Sequence, residues 1–187
     1  MTNAIISLMI IYFARHGDTD ANEDSIPDKN TGEVDEPLNA QGVQQANGLA
    51  KQLKDIHFDA IISSSLKRAY QTAEIVSKSR ALHTIISNEW REREIGGHVS
   101  LETWNDLFDF DKNIIPEKGE SLRDFFERVY GAIDTTKRQY EDKTILIVSH
   151  SGVNFALYAY VNKLTLEGNI RTRPLSNCEY RIYELNS

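Results

Sequence analysis

The sequence has little of several things, and each shortage excludes a class of protein. It contains one cysteine, Cys178, in 187 residues, so an intrachain disulfide is impossible and a reducing compartment is expected. It has no excess of basic residues, because 28 acidic residues outnumber 21 basic ones and give a net charge of −7. A protein that binds nucleic acid through the phosphate backbone needs such an excess. We therefore expect no nucleic-acid partner.

Hydrophobic runs long enough to cross a membrane are absent as well. The run AIISLMII near the N-terminus is much too short to span a bilayer. It also lacks the basic segment and the small-residue cleavage site of a signal peptide, and it continues directly into Arg15 and His16. We interpret this run as a buried strand, and we expect a cytoplasmic protein without a membrane partner.

What the sequence does contain is an alternation of strand and helix patterns, which predicts one domain over residues 1–187. Apolar runs predict five strands, the last of which alternates polar and apolar residues as an edge strand does. The predicted strands are Ser7–Ala14, Asp59–Ser63, Leu82–Ile86, Thr144–Ser149 and Glu179–Leu185. This order predicts an α/β domain with a mostly parallel central sheet, helices on both faces and an edge strand at the C-terminus.

Four apolar stripes with helical spacing separate the strands. Asn39 is placed to cap the first helix, and Ser121 with Asp124 forms a predicted capping box at the third. The stripes are Val43, Ala46, Leu49 and Leu53; Leu66, Ala69, Ala73 and Val76; Leu122, Phe125, Phe126, Val129 and Ile133; and Val153, Leu157 and Tyr160. Two long connections, Glu23–Glu36 and Gly97–Lys118, interrupt the pattern and are predicted functional loops.

Arginine and histidine follow three of the predicted strands. Arg15 and His16 follow the first strand, Arg68 lies in the first turn of the helix after the second, and His150 follows TILIVS. Ligands in open parallel sheets bind beyond the carboxyl ends of the strands. Helix N-termini at these positions favour an anion. The sequence therefore predicts a phosphate site.

A metal site is the competing use of the histidines. None of the five histidines has the close spacing of a helical ligand pair, and there is no cysteine cluster. Neighbours as cationic as Arg15 and Arg68 also disfavour a metal ion. We therefore expect an anion site with no metal and no cofactor, and we assign no role to His57 or His83.

Six motifs occur in an order that resembles the histidine phosphatase superfamily, in its phosphoglycerate-mutase-like branch. The first is RHG at Arg15–Gly17, with Asn22 where the branch often has a phosphate-contacting asparagine. The others are PLNAQGVQQA at Pro37–Ala46, SSSLKRAYQTAEI at Ser63–Ile75, EWREREIGG at Glu89–Gly97, GESLRDFFERV at Gly119–Val129 and VSHSG at Val148–Gly152. The resemblance covers nearly the whole chain.

Three positions depart from the pattern of the family. Asp18 follows RHG where the family usually has Glu or Gln, and Ser151 follows His150 where it usually has glycine. After Gly96 the chain has GHVSLE in place of a tryptophan and a further acidic-glycine pair. None of these departures removes a catalytic group, and the last concerns the wall of the pocket and therefore the substrate.

The resemblance and the chemistry of phosphoryl transfer together assign roles. His16 is the predicted nucleophile, since a neutral imidazole attacks well when its other nitrogen donates to a backbone carbonyl, which Gly17 would permit. Arg15 and Arg68 are predicted to bind the phosphoryl oxygens, and His150, if protonated, adds a third cationic donor. The family's spacing to Gly96 selects Glu92 as the acid and base, with Glu94 as second choice. Asn22, Ser151 and Gly17 are further predicted substrate contacts.

The resulting prediction is a metal-independent phosphatase acting on small phosphorylated metabolites through a phosphohistidine. Two alternatives stay open: a phosphoglycerate mutase-type phosphotransferase, and a non-catalytic protein that binds phosphorylated ligands. Both long loops are acidic, with six acidic residues against one lysine in Glu23–Glu36 and five against two in Gly97–Lys118. A mutase needs cations there for the second anionic group of its substrate, so the loops favour a hydrolase. The oligomeric state is not predicted.

The second loop also predicts the chemical character of the leaving group. Its apolar residues suggest an apolar wall, although ordinary packing explains them equally well: Leu101, Trp104, Leu107, Phe108 and Phe110. We therefore expect a preference for monophosphate esters with an apolar or uncharged leaving group. Four arginines keep the mutase alternative open, as candidate cations for the rim: Arg91, Arg93, Arg171 and Arg173.

Overall fold

The computed structural model describes residues 7–20, 35–96, 101–170 and 174–186. Its five strands are β1 (Leu8–Arg15), β2 (Ala60–Ser64), β3 (Thr84–Ser87), β4 (Thr144–Ser149) and β5 (Tyr180–Asn186). They form one sheet in the order β3-β2-β4-β1-β5. Its helices are α1 (Ala40–Gln52), α2 (Lys67–Ser77), α3 (Leu101–Asp106), α4 (Leu122–Gln139) and α5 (Ser151–Val161), with a 3-10 turn at Asn88–Trp90.

The register of the strands determines where the site lies. Strands β1, β2, β3 and β4 pair in parallel, and β5 pairs antiparallel with β1 at one edge. Arg15 lies opposite Ser149, and Ser63 lies opposite Val148. The carboxyl ends of β1, β2 and β4 therefore meet at one edge of the sheet. The mostly parallel sheet and the C-terminal edge strand are confirmed, with each predicted strand within two residues of the observed bounds.

Alternate residues of the central strands enter two separate cores. In β4, Ile145 and Ile147 pack into the core under α4 and α5, whereas Leu146 and Val148 pack into the core under α1 and α2. Helices on both faces explain why the strand reads as a continuous apolar run, as buried parallel strands do.

The predicted caps begin helices α1 and α4. The Asn39 side chain accepts a hydrogen bond from the Gly42 N–H at 2.8 Å. The Ser121 hydroxyl accepts from the Asp124 N–H at 3.1 Å and also donates to the Asp124 carboxylate at 2.7 Å. The predicted stripe of α1 is wrong at Val43, which is 41% exposed. Gly42 is the buried residue at that turn, for a reason given below.

The predicted loop Gly97–Lys118 contains helix α3 and packs against the segment before residue 171. The Phe110 N–H donates to the Gly168 carbonyl at 2.7 Å, and the Ile170 N–H donates to the Phe108 carbonyl at 3.0 Å. These bonds join the chain after α3 to the segment after α5, and Phe108 and Ile170 both line the cavity described below.

Two further expectations concern the extent of the chain and the membrane. Within the described ranges, no helix is both long enough and apolar enough to cross a bilayer. The domain bounds of 1–187 stay a prediction, because both ends of the chain lie outside those ranges.

Candidate active site

Residues from three strand ends meet at the carboxyl edge of the sheet. The Arg68 Nε donates to the His16 Nε2 at 3.3 Å. The ring centroids of His16 and His150 are 5.0 Å apart. Arg15 lies close enough to act electrostatically on both histidines. The four side chains that the sequence predicted as a phosphate site are thus neighbours in the structure.

His16 is held with one ring nitrogen available. Its Nδ1 lies 2.7 Å from the Gly17 carbonyl, so Nδ1 carries the proton and donates to that oxygen. Its Nε2 then keeps a lone pair, which is where the Arg68 N–H points. Burial, followed by the charges of Arg68 and Arg15, holds the pKa of His16 well below its usual value. The imidazole is therefore neutral near pH 7, as a nucleophile must be.

Gly17 is required for space rather than for an unusual backbone conformation. Positive φ angles occur at two described glycines, Gly96 and Gly168, and not at Gly17. A Cβ on Gly17 would lie 2.6 Å from the Gly42 carbonyl oxygen, and a Cβ on Gly42 would lie 2.1 Å from the backbone carbonyl oxygen of Asp18. The loop after β1 therefore packs directly on the start of α1. Gly17 thus permits a close backbone approach, and its carbonyl receives the His16 Nδ1 bond that the sequence led us to expect.

Thr72 also fixes this loop, and the sequence reasoning did not single it out. The Gly17 N–H donates to the Thr72 hydroxyl at 3.0 Å, and that hydroxyl donates to the Arg68 carbonyl at 2.7 Å. Thr72 lies one helical turn after Arg68, on the same face of the helix. This spacing could have indicated from the sequence that Thr72 lies near the phosphate site. The bond couples the loop that carries His16 to the helix that carries Arg68.

The two arginines are buried to different degrees and are fixed differently. Arg68 is 6% exposed, whereas Arg15 is half-buried and donates from Nη1 to the Leu175 carbonyl at 2.7 Å. The Arg15 Nε is buried without a hydrogen-bond partner within the described residues. Burial lowers the pKa of both guanidiniums, and the charge of Glu92 opposes that shift in each. Both side chains remain cationic at neutral pH.

His150 lies in the same cluster and is almost fully buried. Its Nε2 is 2.8 Å from the Ser64 hydroxyl, and its Nδ1 has no partner within the described residues. The pKa of His150 is held well below its usual value. The main cause is burial, followed by the charges of Arg68, His16, Arg15 and Arg91. These surroundings favour a neutral ring, so the condition under which His150 would add a third cation is not met.

Glu92 is held at the N-terminus of α5. Its carboxylate accepts hydrogen bonds from the Gly152 N–H at 3.0 Å and from the Arg93 N–H at 3.1 Å. A Cβ on Gly152 would lie 2.3 Å from the Glu92 Oε1, so only glycine allows the carboxylate to approach this closely. Glu94, the second choice, is exposed. The structure therefore places Glu92, and not Glu94, beside the arginines.

The segment that carries Glu92 is fixed from two sides. The Ser149 hydroxyl, at the end of β4, donates to the Trp90 carbonyl at 2.6 Å. Arg128 of α4 donates from Nη1 to the carbonyls of Glu89 at 2.7 Å and Arg91 at 3.1 Å. These bonds give the Glu92 backbone a defined position relative to the sheet.

An apolar cavity of about 390 Å³ adjoins Glu92. Glu92, Ser151 and Gly152 form the part of its wall nearest the charged cluster, and the rest comes from α3, α4, α5 and neighbouring segments. The remaining lining residues are Arg93, Ile95, Trp104, Phe108, Leu122, Phe125, Phe126, Phe155, Ile170 and Pro174.

The sequence predicted only part of the cavity wall. Trp104 and Phe108 line it as expected, whereas Leu107 is buried and Phe110 packs edge-on against Phe126. The Leu101 side chain lies outside what the structure describes. The rings that α4 and α5 contribute were not anticipated, because their helical spacing is also that of an ordinary core stripe.

The remaining predicted contacts divide into those that the structure describes and those that it does not. Ser151 lines the cavity, and its hydroxyl donates to the Leu175 carbonyl at 3.4 Å. Arg91 is half-buried and acts electrostatically on His150. Four predicted elements lie outside the described residues: Asn22, most of Glu23–Glu36, Arg171 and Arg173.

Comparison with known proteins places this geometry in a family. The family model described as "Histidine phosphatase superfamily (branch 1)" matches residues 11–187. The chain belongs to this superfamily. The resemblance predicted from the six motifs is therefore confirmed, as is the assignment to an enzyme family of phosphatases.

Individual relatives include phosphatases and a probable mutase. The chain is 32% identical to the uncharacterized phosphatase PhoE of Bacillus subtilis (strain 168), covering 81% of this chain and 77% of that protein. It is 32% identical to the adenosylcobalamin/alpha-ribazole phosphatase of Escherichia coli (strain K12), covering 91% and 87%. It is 31% identical to the probable phosphoglycerate mutase GpmB of Escherichia coli O1:K1 / APEC, covering 91% and 82%.

The fold comparison agrees with the sequence comparison. The solved structure of Bacillus stearothermophilus YhfR is 27% identical to this chain and superposes with a TM-score of 0.77, covering 93% of this chain and 90% of that one. The α/β architecture predicted from the sequence is thus that of the solved structures of this kind.

Proposed function

We propose that the protein is a phosphomonoesterase that hydrolyses small phosphate esters through a phosphohistidine on His16. The observation that carries the proposal is the state of His16: neutral, with Nδ1 bound to the Gly17 carbonyl and Nε2 aimed at the Arg68 guanidinium. A phosphoryl group bound by the two arginines would be placed beside that lone pair. The phosphatases among the relatives, one of them named for alpha-ribazole, support a small phosphorylated metabolite as substrate.

In the first step the His16 Nε2 attacks phosphorus and forms an N–P bond. The ester P–O bond breaks, and a protonated Glu92 gives its proton to the leaving oxygen, so that the free alcohol departs. Arg15 and Arg68 neutralise the equatorial oxygens, whose charge a divalent ion would otherwise balance. We expect metal independence for this reason.

In the second step water attacks the phosphohistidine. Glu92, now a carboxylate, takes a proton from the water as its oxygen bonds to phosphorus, and the N–P bond breaks. Inorganic phosphate leaves, and both the neutral His16 and the protonated Glu92 are restored. The Gly152 N–H holds the carboxylate near the arginines, where both proton transfers would take place.

His150 would act in this scheme as a neutral donor. The Leu66 N–H occupies one lone pair of the Ser64 hydroxyl at 3.3 Å. If that hydroxyl donates its hydrogen bond to the His150 Nε2, Nε2 is the acceptor nitrogen of the neutral ring. The ring's one N–H is then on Nδ1, the buried nitrogen without a described partner. An N–H at that position is a donor for a phosphoryl oxygen. Ser64 would then be a positioning residue that fixes the His150 tautomer.

Hydrolysis is favoured over the mutase reaction by the hydrogen bonds of the Arg93 guanidinium. A mutase needs a cation beyond the reacting phosphate, and Arg93 lines the cavity. Its Nε donates to the Glu120 carbonyl at 2.9 Å, its Nη1 to the Leu107 carbonyl, and its Nη2 to the Ile114 carbonyl at 3.3 Å. These bonds commit the guanidinium to the protein's own backbone. Rapid transfer between phosphoglycerate isomers, primed by a bisphosphate, would contradict the hydrolase assignment.

The direct test is hydrolysis of p-nitrophenyl phosphate at mildly acidic pH, with and without EDTA. We expect turnover that persists in EDTA, and an acid-labile, base-stable phosphoenzyme on quenching. His83→Ala is the matched control for His16→Ala, because His83 is exposed. Wild-type turnover by the His16→Ala protein would refute the mechanism, and activity restored by one divalent ion would refute metal independence.

A further inference from the structure

The cavity beside Glu92 is built from rings on three separate helical segments. Trp104 and Phe108 meet edge to face, with centroids 5.4 Å apart, and Phe126 meets Phe155 in the same way at 5.9 Å. Edge-to-face pairs hold each other in place and present apolar faces and edges. The rings of the wall are therefore held in defined positions. We call the cavity lined by the residues given above the aromatic cavity.

The aromatic cavity adjoins the side of Glu92 from which a leaving group must depart. Glu92 acts electrostatically on Arg15 and Arg68 and also lines the cavity, so this carboxyl group is common to the two regions. The acid has to reach the ester oxygen, so the carbon attached to that oxygen lies on the cavity side when the phosphoryl group lies between the arginines. The volume of about 390 Å³ is in the range of small-molecule pockets.

The charges around the aromatic cavity disfavour a second anionic group. Among the described lining residues Arg93 is the single basic side chain, and three of its N–H groups bond to backbone carbonyls. Burial lowers the pKa of Arg93 to about 10, which still leaves it charged at neutral pH. Its charge therefore compensates the carbonyl dipoles of the loop and is not available to a second anionic group.

We propose that the aromatic cavity binds the leaving group and selects phosphate monoesters of apolar, uncharged alcohols, whether aromatic or long-chain aliphatic. The proposal rests on the proposed function, since it uses Glu92 as the acid and the arginines as the phosphate site. It adds the substrate class, which the catalytic residues alone leave open.

The test uses alkyl phosphates, because their leaving alcohols differ little in acidity and the chemical step is therefore constant along the series. Values of kcat/KM are measured for ethyl, butyl and hexyl phosphate. Burial of each added methylene is worth up to about fourfold, so we expect hexyl phosphate to exceed ethyl phosphate by about tenfold or more. An ω-carboxyalkyl phosphate of the same length should fall at least about tenfold below hexyl phosphate, because its charge would lose water in an apolar site.

Two substitutions on helix α5 locate the effect. Phe155 lines the cavity, whereas Tyr158, one turn further along, is 39% exposed and outside the lining. We expect Phe155→Ala to lower the hexyl-to-ethyl ratio by about threefold or more, and Tyr158→Ala to leave the ratio unchanged. The ratio is independent of how much protein is folded. Trp104→Ala, on α3, provides a second variant with the same expected direction.

The outcomes separate this proposal from the proposed function. If the esters are hydrolysed in a His16-dependent manner but at equal rates along the series, the cavity proposal is wrong and the function stands. A higher rate for the carboxylate ester would show that a cation acts at the cavity and would likewise overturn the proposal. If neither the alkyl phosphates nor p-nitrophenyl phosphate is hydrolysed, the proposed function itself is wrong.

Discussion

Two adjoining regions of the site differ in almost every physical property. The phosphate region (Arg15, His16, Arg68 and His150) is polar, lies at three strand ends and is fixed by backbone hydrogen bonds. The aromatic cavity is apolar and is formed mainly by side chains of three helical segments. Its one described basic side chain, Arg93, is hydrogen-bonded to backbone carbonyls. Glu92 belongs to both regions. The contrast indicates that the phosphate region determines which group is transferred. The aromatic cavity determines which alcohol the phosphate ester can carry.

The difference in construction has a consequence for specificity. The strand ends are part of the sheet core, so the phosphate region has little freedom to change without disturbing β1, β2 and β4. The cavity wall depends on packing between helices, where hydrophobic substitutions of similar volume are tolerated. A scaffold of this kind can keep one reaction while its leaving-group preference changes.

The largest effect should come from removing the nucleophile. We expect His16→Ala to lower kcat for every ester by at least about 10⁴-fold, because the Nε2 of His150, the other neutral imidazole near the arginines, is already bound to the Ser64 hydroxyl. The loss should be the same for ethyl and hexyl phosphate, since the cavity is untouched. Steady-state kinetics on both esters measures this, with His83→Ala as control. A loss that differs strongly between the two esters would break the separation of the regions.

A smaller loss is expected when the geometry of one cation is changed. Arg68→Lys keeps the charge but removes the planar fork that can bind two oxygens, and we expect kcat to fall by about 10²- to 10³-fold. The adjacent Lys67 is exposed and pairs with Asp35 at 3.7 Å. Lys67→Ala is therefore the matched control, with activity close to wild type. An Arg68→Lys enzyme of normal activity would show that bidentate binding is unnecessary.

Glu92, which joins the two regions, is tested through Gly152. In Gly152→Ala the new Cβ would lie 2.3 Å from Oε1, and the flexible carboxylate would have to move. We expect hydrolysis of ethyl phosphate to fall by about tenfold to a hundredfold, and hydrolysis of p-nitrophenyl phosphate to fall less, because nitrophenolate leaves without a proton.

Gly131 provides the control for that substitution. It lies in α4, and a Cβ there would meet nothing within 4 Å. Gly131→Ala should keep wild-type kinetics and raise the free energy of unfolding by about 0.5–1 kcal/mol. Equal losses on the two esters in Gly152→Ala would argue against Glu92 as the proton donor.

The last expected effect is on stability rather than on rate and concerns the buried histidines of the phosphate region. Burial and neighbouring cations depress the folded-state pKa of His16 and His150. Their contribution to stability is therefore fully present above the unfolded pKa of about 6.5 and is lost as the pH falls below it. The free energy of unfolding should fall by up to about 1.4 kcal/mol per pH unit for each histidine.

Denaturant titrations between about pH 5 and pH 8 measure this slope. His150→Gln should make the slope shallower, whereas His83→Gln should leave it unchanged, because His83 is exposed. A wild-type stability that stays constant or rises toward low pH would contradict the neutral state of both rings.

The sequence by itself determined the features that depend on short stretches of chain. The continuous apolar run of β4, the cap at Asn39 and the positions of Arg15, His16, Arg68 and His150 after strands are all local patterns. In a parallel sheet the carboxyl ends of strands meet at one edge, so these patterns also predicted which side chains become neighbours.

Only the tertiary structure decided what depends on contacts between distant segments. The approach of Gly17 to Gly42, the bond from Gly152 to Glu92 and the commitment of Arg93 to three carbonyls join residues that the sequence keeps apart. The helical spacing of Phe125 and Phe126 was equally that of a core stripe, because a helix presents the same periodicity to a core and to a cavity. Whether a ring faces packed atoms or open space is decided by the neighbouring helices, and these are placed by the fold as a whole.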